Sequence, residues 1–151
     1  MPLNKVKPIT ILMADDDEDD RLFFTDAFDE LKITTNVKTF NDGVYLMDYL
    51  NNEESIFPNV LFLDLNMPRK SGLECLKEIK QTDKFKDMAI AIYSTSASEE
   101  DIEKTFVMGA NIYIKKPSDF KTLKKVLSEV VTINWQYHTN GLNKDNFLLR
   151  L

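Results

Sequence analysis

The chain has 151 residues, of which 43% are hydrophobic, 11% aromatic and 29% charged, and this is the composition of one folded domain and not of a disordered chain. Its 19 Lys and Arg residues against 25 Asp and Glu residues give a net charge of −6, the wrong sign for direct nucleic-acid binding over a broad face. A single cysteine, Cys75, excludes an intramolecular disulfide and a cysteine-based metal cluster. Apolar runs are short and the N-terminus lacks a signal-peptide pattern, so we expect no membrane insertion and a cytoplasmic location.

Short apolar runs alternate with amphipathic patterns along most of the chain. Each apolar run suits a strand buried on both faces, and apolar residues spaced by three and four predict a helix after each run. We expect Ser98 and Ser118 to cap the fourth and fifth helices. The predicted strands are residues 9–14, 37–40, 60–63, 88–93 and 112–114, and the helical patterns start near Phe24, Val44, Leu73, Ser98 and Phe120.

Five strands alternating with five helices predict an α/β fold, in which a doubly wound, five-stranded parallel sheet is covered by helices on both faces. Ligands of such sheets bind beyond the carboxyl ends of the strands. The residues expected at those ends are Asp15, Asp16, Asp64, Ser94 and Lys116. We therefore expect three carboxylates, a hydroxyl and an ammonium group to converge on one rim.

Several carboxylates on one rim need a compensating charge. Two carboxylates about 4 Å apart repel by roughly 4 kcal/mol at an effective dielectric of about 20, so a bound cation is expected. Oxygen ligands without His or Cys select a hard ion such as Mg²⁺, which also bridges to phosphate oxygens. A carboxylate can take up a phosphoryl group when a metal and a lysine neutralise that group and a hydroxyl donates to it. Asp64, Lys116 and Ser94 are the carboxylate, the lysine and the hydroxyl for such a reaction.

Four segments of the chain resemble the receiver domain of bacterial two-component response regulators, over residues 8 to about 131. They are ILMADDDEDDRLFF, VLFLDLNMPRKSGLE, AIAIYSTSASEEDI and GANIYIKKPSDF, in that order. The resemblance implies a flavodoxin-like sheet with strand order 2-1-3-4-5. It also implies a phosphoprotein that catalyses only its own phosphorylation and dephosphorylation, and not a turnover enzyme.

The resemblance assigns a role to each residue that matches the phosphoryl-transfer machinery. Asp64 matches the phosphoacceptor and Lys116 the phosphate-binding lysine. Ser94 matches the switch hydroxyl, and Tyr113 matches the aromatic residue that turns inward on activation.

The metal site is implied in the same way. Asp15 and Asp16 match the acidic pair that binds Mg²⁺, or Mn²⁺, together with Asp64. Asn66 matches the position whose backbone carbonyl completes the metal shell.

Three positions depart from the commoner pattern or tune the chemistry. Thr95 stands where a small residue usually follows the switch hydroxyl, so we expect narrower access to the phosphoryl group. Asn66 and Ser96 occupy positions that tune the lifetime of the aspartyl phosphate. The bond between Lys116 and Pro117 is expected to be cis, as in the family.

Other polar residues have structural interpretations. The acids from Asp17 to Asp20 are interpreted as a helix cap and a solvated first turn. Ser94, Thr95 and Tyr113 would each, taken alone, be as well explained by strand-end turns and packing. Cys75 is interpreted as a core residue, and His138 as a surface residue.

We expect a single-domain response regulator, with a receiver domain at 1–132 and a C-terminal extension at 133–151 that is not a separate output domain. Its expected partner is a histidine kinase or a histidine phosphotransfer protein, and its output is protein contact through a phosphorylation-switched surface, with a second copy as a further candidate partner. Two alternatives stay open: a phosphorelay intermediate, and a receiver-like scaffold that works without phosphorylation. The apolar extension is expected to pack on the receiver domain, with a partner contact as the alternative.

Overall fold

Alternating strands and helices build the chain, as the sequence pattern predicts. The computed structural model describes residues 8–132 and 148–149. In chain order the elements are β1 (Ile9–Ala14), α1 (Glu18–Glu30), β2 (Thr35–Phe40), α2 (Gly43–Asn51), β3 (Val60–Leu63), α3 (Gly72–Lys80), a 3₁₀ helix (Asp83–Phe85), β4 (Ala89–Ser94), α4 (Glu99–Val107), β5 (Ile112–Lys115), α5 (Phe120–Thr132) and β6 (Leu148–Leu149).

The strands form one parallel sheet in the order β2-β1-β3-β4-β5-β6. The predicted order 2-1-3-4-5 is thereby confirmed for the first five strands. The two-residue strand β6, which was not predicted, pairs with β5 and extends the sheet. In β1, Ala14 pairs with Phe40 of β2 on one side and with Leu63 of β3 on the other. The residues that follow these strands therefore emerge side by side at the carboxyl edge.

Successive side chains of each strand point to opposite sides of the sheet, and helices cover both sides. Both faces of the sheet are therefore buried. Leu12 of β1 packs with Leu76 of α3 on the face covered by α2, α3 and α4. Met13 packs with Phe24 of α1 and Leu127 of α5 on the other face. This two-sided burial explains why β1, β3 and β4 read as continuous apolar runs, whereas burial alternates along the edge strand β2.

Side chains that accept backbone N–H groups begin the helices. Asp17 caps α1, Asp42 caps α2 and Ser98 caps α4, as expected for Ser98. The prediction for Ser118 was wrong by one residue. The carboxylate of Asp119 accepts the N–H of Thr122 at 2.9 Å, and a carboxylate is a strong acceptor at the positive end of a helix dipole.

The Lys116–Pro117 bond and the C-terminal extension can now be compared with what was expected. The Lys116–Pro117 bond is trans and not cis, since no cis peptide bond occurs in the described residues; trans is the lower-energy isomer for an X–Pro bond. His138 and most of the extension lie outside the described residues, apart from the backbone of β6. Within the described residues, no helix has the length and apolar character needed to cross a bilayer.

Candidate functional site

Asp15 and Asp64 are placed by adjacent central strands. The backbone N–H of Asp15 donates to the Phe40 carbonyl, and that of Asp64 donates to the Ala14 carbonyl, both at 3.0 Å. Both residues are buried, with exposed fractions of 0% and 5%. Asp16 follows Asp15 and is exposed. These are the positions at which the sequence predicted a carboxylate rim.

The three carboxylates form a group that we call the acidic triad: Asp15, Asp16 and Asp64. One oxygen from each can be chosen so that all three lie within 4.8 Å of one another. The Oδ2 atom of Asp15 is buried and forms an ion pair with the Lys116 Nζ at 2.6 Å, without the geometry of a hydrogen bond. A buried carboxylate oxygen in that state favours a cation, and an all-oxygen donor set suits Mg²⁺ or Mn²⁺. The residues present therefore fit a hard divalent ion.

The charges of Asp15 and Asp64, the two buried members of the acidic triad, are destabilised by burial. Desolvation raises the pKa of Asp64 to about 6, and the charge of Asp15 adds to this rise while Lys116 opposes it. Desolvation also raises the pKa of Asp15, against the opposing effect of Lys116. The protein thus holds carboxylates that lack enough positive charge, which is the electrostatic condition that a bound cation relieves.

Lys116 brings a positive charge to this rim and pairs with its carboxylates. Its Nζ lies 2.6 Å from Oδ2 of Asp15, 2.9 Å from Oδ2 of Asp20 and 3.6 Å from Oδ2 of Asp64. Burial alone would lower the pKa of Lys116, but its ion pair with Asp15 and the hydrogen bond that it donates to Asp20 outweigh burial and raise it. The ammonium group therefore stays charged beside Asp64.

Ser94, Ser96 and Tyr113 form a hydrogen-bonded group next to the acidic triad. Ser94 ends β4 and is fully buried, and its hydroxyl oxygen accepts the N–H of Ser96 at 3.2 Å. The Tyr113 side chain is buried, and its hydroxyl donates to the Ser96 carbonyl at 2.7 Å. The Tyr113 side chain therefore points into the protein, with its hydroxyl at the loop after β4.

Asn66 and Thr95 both lie exposed at the rim, in the loops that follow β3 and β4. The backbone N–H of Asn66 lies 3.4 Å from Oδ1 of Asp64, at the long limit for a hydrogen bond. Gly72 follows the loop after β3 and packs against the Asp64 backbone, so a Cβ atom at this position would clash with the Asp64 carbonyl oxygen. A side chain at position 72 would therefore push the Asp64 backbone out of place.

Two residues near the site were missed by the sequence reasoning. Asp20 was interpreted as part of a solvated turn, but its carboxylate accepts a hydrogen bond from Lys116. Arg69 adopts a left-handed conformation, with φ of 65°, and its guanidinium pairs with the buried carboxylate of Asp42 at 3.1 Å. The sequence did contain a signal for Asp20. Four acids follow Asp16, and capping the helix requires only one of them, so another could have been assigned to the site.

Comparison with known proteins gives a consistent result. The family model "Response regulator receiver domain" matches residues 11–128. The response regulator Rcp1 of Synechocystis sp. is 30% identical over 127 residues, covering 82% of this chain and 86% of Rcp1. The structure of the phosphorylated cyanobacterial phytochrome response regulator RcpA has a TM-score of 0.76 at 29% identity, covering 82% of this chain and 91% of RcpA. The Mn²⁺-bound form of Rcp1 has a TM-score of 0.75 at 29% identity, covering 83% of this chain and 94% of the Rcp1 chain.

The matched residues run from Ile11 within β1 to Ser128 in α5, and the carboxylates, lysine and hydroxyl of the site lie among them. The family's members are signalling proteins of two-component systems, and the match indicates no family of turnover enzymes. The chain belongs to the response regulator receiver domain family.

Proposed function

We propose that this protein accepts a phosphoryl group on Asp64 from the phosphohistidine of a partner histidine kinase or histidine phosphotransfer protein, in a reaction that needs Mg²⁺ or Mn²⁺. The observation that carries the proposal is the position of Asp64. Its carboxylate lies within the acidic triad and 3.6 Å from the Lys116 ammonium group. A nucleophile, a metal site and a fixed positive charge therefore share one rim.

The chemistry is a transfer between two acceptor atoms. An oxygen of the Asp64 carboxylate attacks phosphorus, a P–O bond forms, and the P–N bond to the partner's imidazole breaks so that the imidazole leaves with the bonding pair. Asp15, Asp16 and Asp64, with the Asn66 carbonyl, would hold the metal. The metal supplies positive charge for the phosphoryl oxygens.

This chain's own residues supply the remaining parts. The Lys116 ammonium neutralises a phosphoryl oxygen beside Asp64, and the Ser94 hydroxyl, at the end of the next strand, donates to another. Because the Ser94 hydroxyl accepts the Ser96 N–H, such a contact would pull on the loop that holds the Tyr113 hydroxyl. We propose Thr95, Ser96 and Asn66 as the residues that set the lifetime of the aspartyl phosphate.

The output would be a change in the surface formed by α4, β5 and α5, where a downstream protein or a second copy docks. Val107 on α4 is 72% exposed, so its apolar side chain is available for such a contact. Strand β6 lies along the edge of β5 on the same surface. Residues 1–132 would form the receiver domain, and 133–151 an extension that contributes this strand.

Two of the similar structures support this proposal. The RcpA structure is phosphorylated, and the Rcp1 structure has Mn²⁺ bound. Phosphorylation and divalent-metal binding are the two properties that we propose for the acidic triad and Lys116.

The experiment is phosphorylation by acetyl phosphate, followed by intact-mass measurement. The parent protein should gain one phosphoryl group in the presence of Mg²⁺ and none in EDTA, and Asp64→Asn should gain none at position 64. Asp19→Asn is the matched control, because it removes an exposed carboxylate from the first turn of α1. Absence of phosphoryl uptake by the parent, or equal uptake at residue 64 in the Asn variant, contradicts the proposal.

A further inference from the structure

Asp20 is the acid of the α1 first turn that contacts the phosphoryl-transfer site. Its Oδ2 accepts a hydrogen bond from the Lys116 Nζ at 2.9 Å, across 96 positions in sequence. The neighbouring acids behave differently, since Asp17 caps the helix and Asp19 is exposed. Asp20 is also outside the acidic triad, whose oxygens lie within reach of one cation.

The backbone around this ion pair is fixed at both ends. The Asp20 N–H donates to the Asp17 carboxylate, which anchors the first turn of α1. The Lys116 N–H donates to the Ser94 carbonyl at 2.8 Å, which anchors the start of the loop after β5. The Lys116 side chain is only 9% exposed and lies over the Tyr93 ring, with Nζ 5.6 Å from the ring centre. The ammonium group is therefore held in one place from several sides.

A cation and Lys116 need the same carboxylates. Lys116 pairs with Asp15 at 2.6 Å and with Asp64 at 3.6 Å, and both acids belong to the acidic triad. A divalent ion on the triad repels the ammonium group and takes over these two carboxylates. Asp20 is the described carboxylate that can keep Lys116 paired while the triad holds the ion.

We propose that Asp20 is a positioning residue, which holds the Lys116 ammonium beside Asp64 while leaving Asp15 and Asp64 to a divalent cation. The proposal rests on the proposed role of Asp64 as phosphoacceptor, and it adds a residue that acts through Lys116 and not on the phosphoryl group. Without Asp20, the ammonium group would remain with Asp15 and Asp64 and compete with the cation for them.

A double-mutant cycle on Mn²⁺ affinity tests this role without any phosphoryl transfer. The proteins are the parent, Asp20→Asn, Lys116→Met and the double variant, and the dissociation constant is measured by Mn²⁺ electron paramagnetic resonance. Lys116→Met should tighten Mn²⁺ binding, because a competing cation is removed. Asp20→Asn should weaken it by about three- to tenfold in the parent, and by less than about twofold in the Lys116→Met background. Should Lys116→Met fail to fold by circular dichroism, Lys116→Gln takes its place.

The outcomes separate a positioning role from a general effect of charge. An equal loss of affinity in both backgrounds means that Asp20 acts only through its field, and no loss in the parent background means that it does not position Lys116; either overturns the proposal. Asp19→Asn removes the same charge from the same turn and should leave Mn²⁺ affinity within about twofold of the parent. Asp20→Glu, which keeps a carboxylate, should recover part of the affinity.

A second readout connects the cycle to the chemistry. At saturating Mn²⁺, Asp20→Asn should take up the phosphoryl group from acetyl phosphate several-fold more slowly than the parent, whereas Asp19→Asn should not. If the parent itself takes up no phosphoryl group, the proposed function fails while the metal cycle still reports on Asp20. Equal uptake rates for the parent and Asp20→Asn would remove the link between Asp20 and the reaction.

Discussion

The Tyr113 hydroxyl donates a hydrogen bond of 2.7 Å to the Ser96 carbonyl and so ties β5 to the loop after β4. Tyr113→Phe removes this bond and leaves a polar loop carbonyl with one partner fewer. We expect the free energy of unfolding in urea to fall by about 1 kcal/mol. Tyr93→Phe is the matched control, because the structure gives the Tyr93 hydroxyl no hydrogen bond within the described residues, although its ring is equally buried. Equal losses in the two variants would mean that the Tyr113 bond does not stabilise the fold.

The raised pKa of Asp64 predicts a pH dependence of stability. Its pKa is about 6 in the folded protein, against an ordinary value of 3.8, so the folded state binds this proton more tightly than the unfolded chain. The contribution of the protonated carboxyl is complete below about pH 4 and is lost as the pH rises through 6. In EDTA, the stability of the parent relative to Asp64→Asn should therefore fall between pH 4 and 7, by about 2 kcal/mol.

Urea unfolding of both proteins at several pH values measures this difference. Asp19→Asn serves as the control, because its exposed carboxylate makes none of the described ion pairs. A difference between the parent and Asp64→Asn that is constant from pH 4 to 7 would contradict the assigned burial of Asp64.

Cation binding to the acidic triad should stabilise the folded state. Mg²⁺ at one hundred times its dissociation constant is expected to add about 2.7 kcal/mol to the free energy of unfolding. Asp16→Asn removes one candidate ligand without opening a cavity, because Asp16 is exposed. At the same Mg²⁺ concentration the variant should therefore gain less stability than the parent. Thermal unfolding with Mg²⁺ and with EDTA measures this gain, and equal gains would exclude Asp16 as a ligand.

The part of the site that the sequence could predict is the part fixed by strand ends. Asp15 and Asp64 follow strands that pair at Ala14 and Leu63, so their meeting is a consequence of parallel topology alone. Lys116 and Ser94 follow the same rule at β5 and β4. The order of the strands came from the resemblance, since periodicity does not say which strands are neighbours.

What the sequence could not supply were contacts that depend on side-chain direction and on loop shape. The reach of Asp20 to Lys116 depends on the angle at which α1 leaves β1. The left-handed backbone conformation of Arg69 could not be predicted, because arginine rarely adopts that conformation. Strand β6 has only two residues, which is too short for a sequence pattern to predict that it pairs with β5.

Arg69 predicts a difference between two substitutions. Its φ of 65° is unfavourable for a residue with a Cβ atom and is free of that cost for glycine. Arg69→Ala and Arg69→Gly both remove the ion pair with Asp42, but only the glycine variant relieves the backbone. We expect Arg69→Gly to unfold a few degrees above Arg69→Ala in a thermal scan. The reverse order would mean that the loop does not keep this conformation in solution.

Strand β6 predicts what the extension contributes to stability. It pairs Leu148 with Tyr113 and Leu149 with Ile114 at the β5 edge, and the buried residues that the structure describes on both faces come from residues 9–131. A chain that ends at Thr132 should therefore fold, unfold cooperatively in urea and lose about 1 to 3 kcal/mol of stability, the value of a few backbone hydrogen bonds. Its phosphoryl uptake from acetyl phosphate should equal that of the parent, because the acidic triad and Lys116 are intact. Replacing Leu148 by proline in the full chain is the matched control for the strand itself, since proline lacks a backbone N–H and is disfavoured within a strand. Loss of cooperative unfolding in the shortened chain would mean that the extension is part of the receiver core.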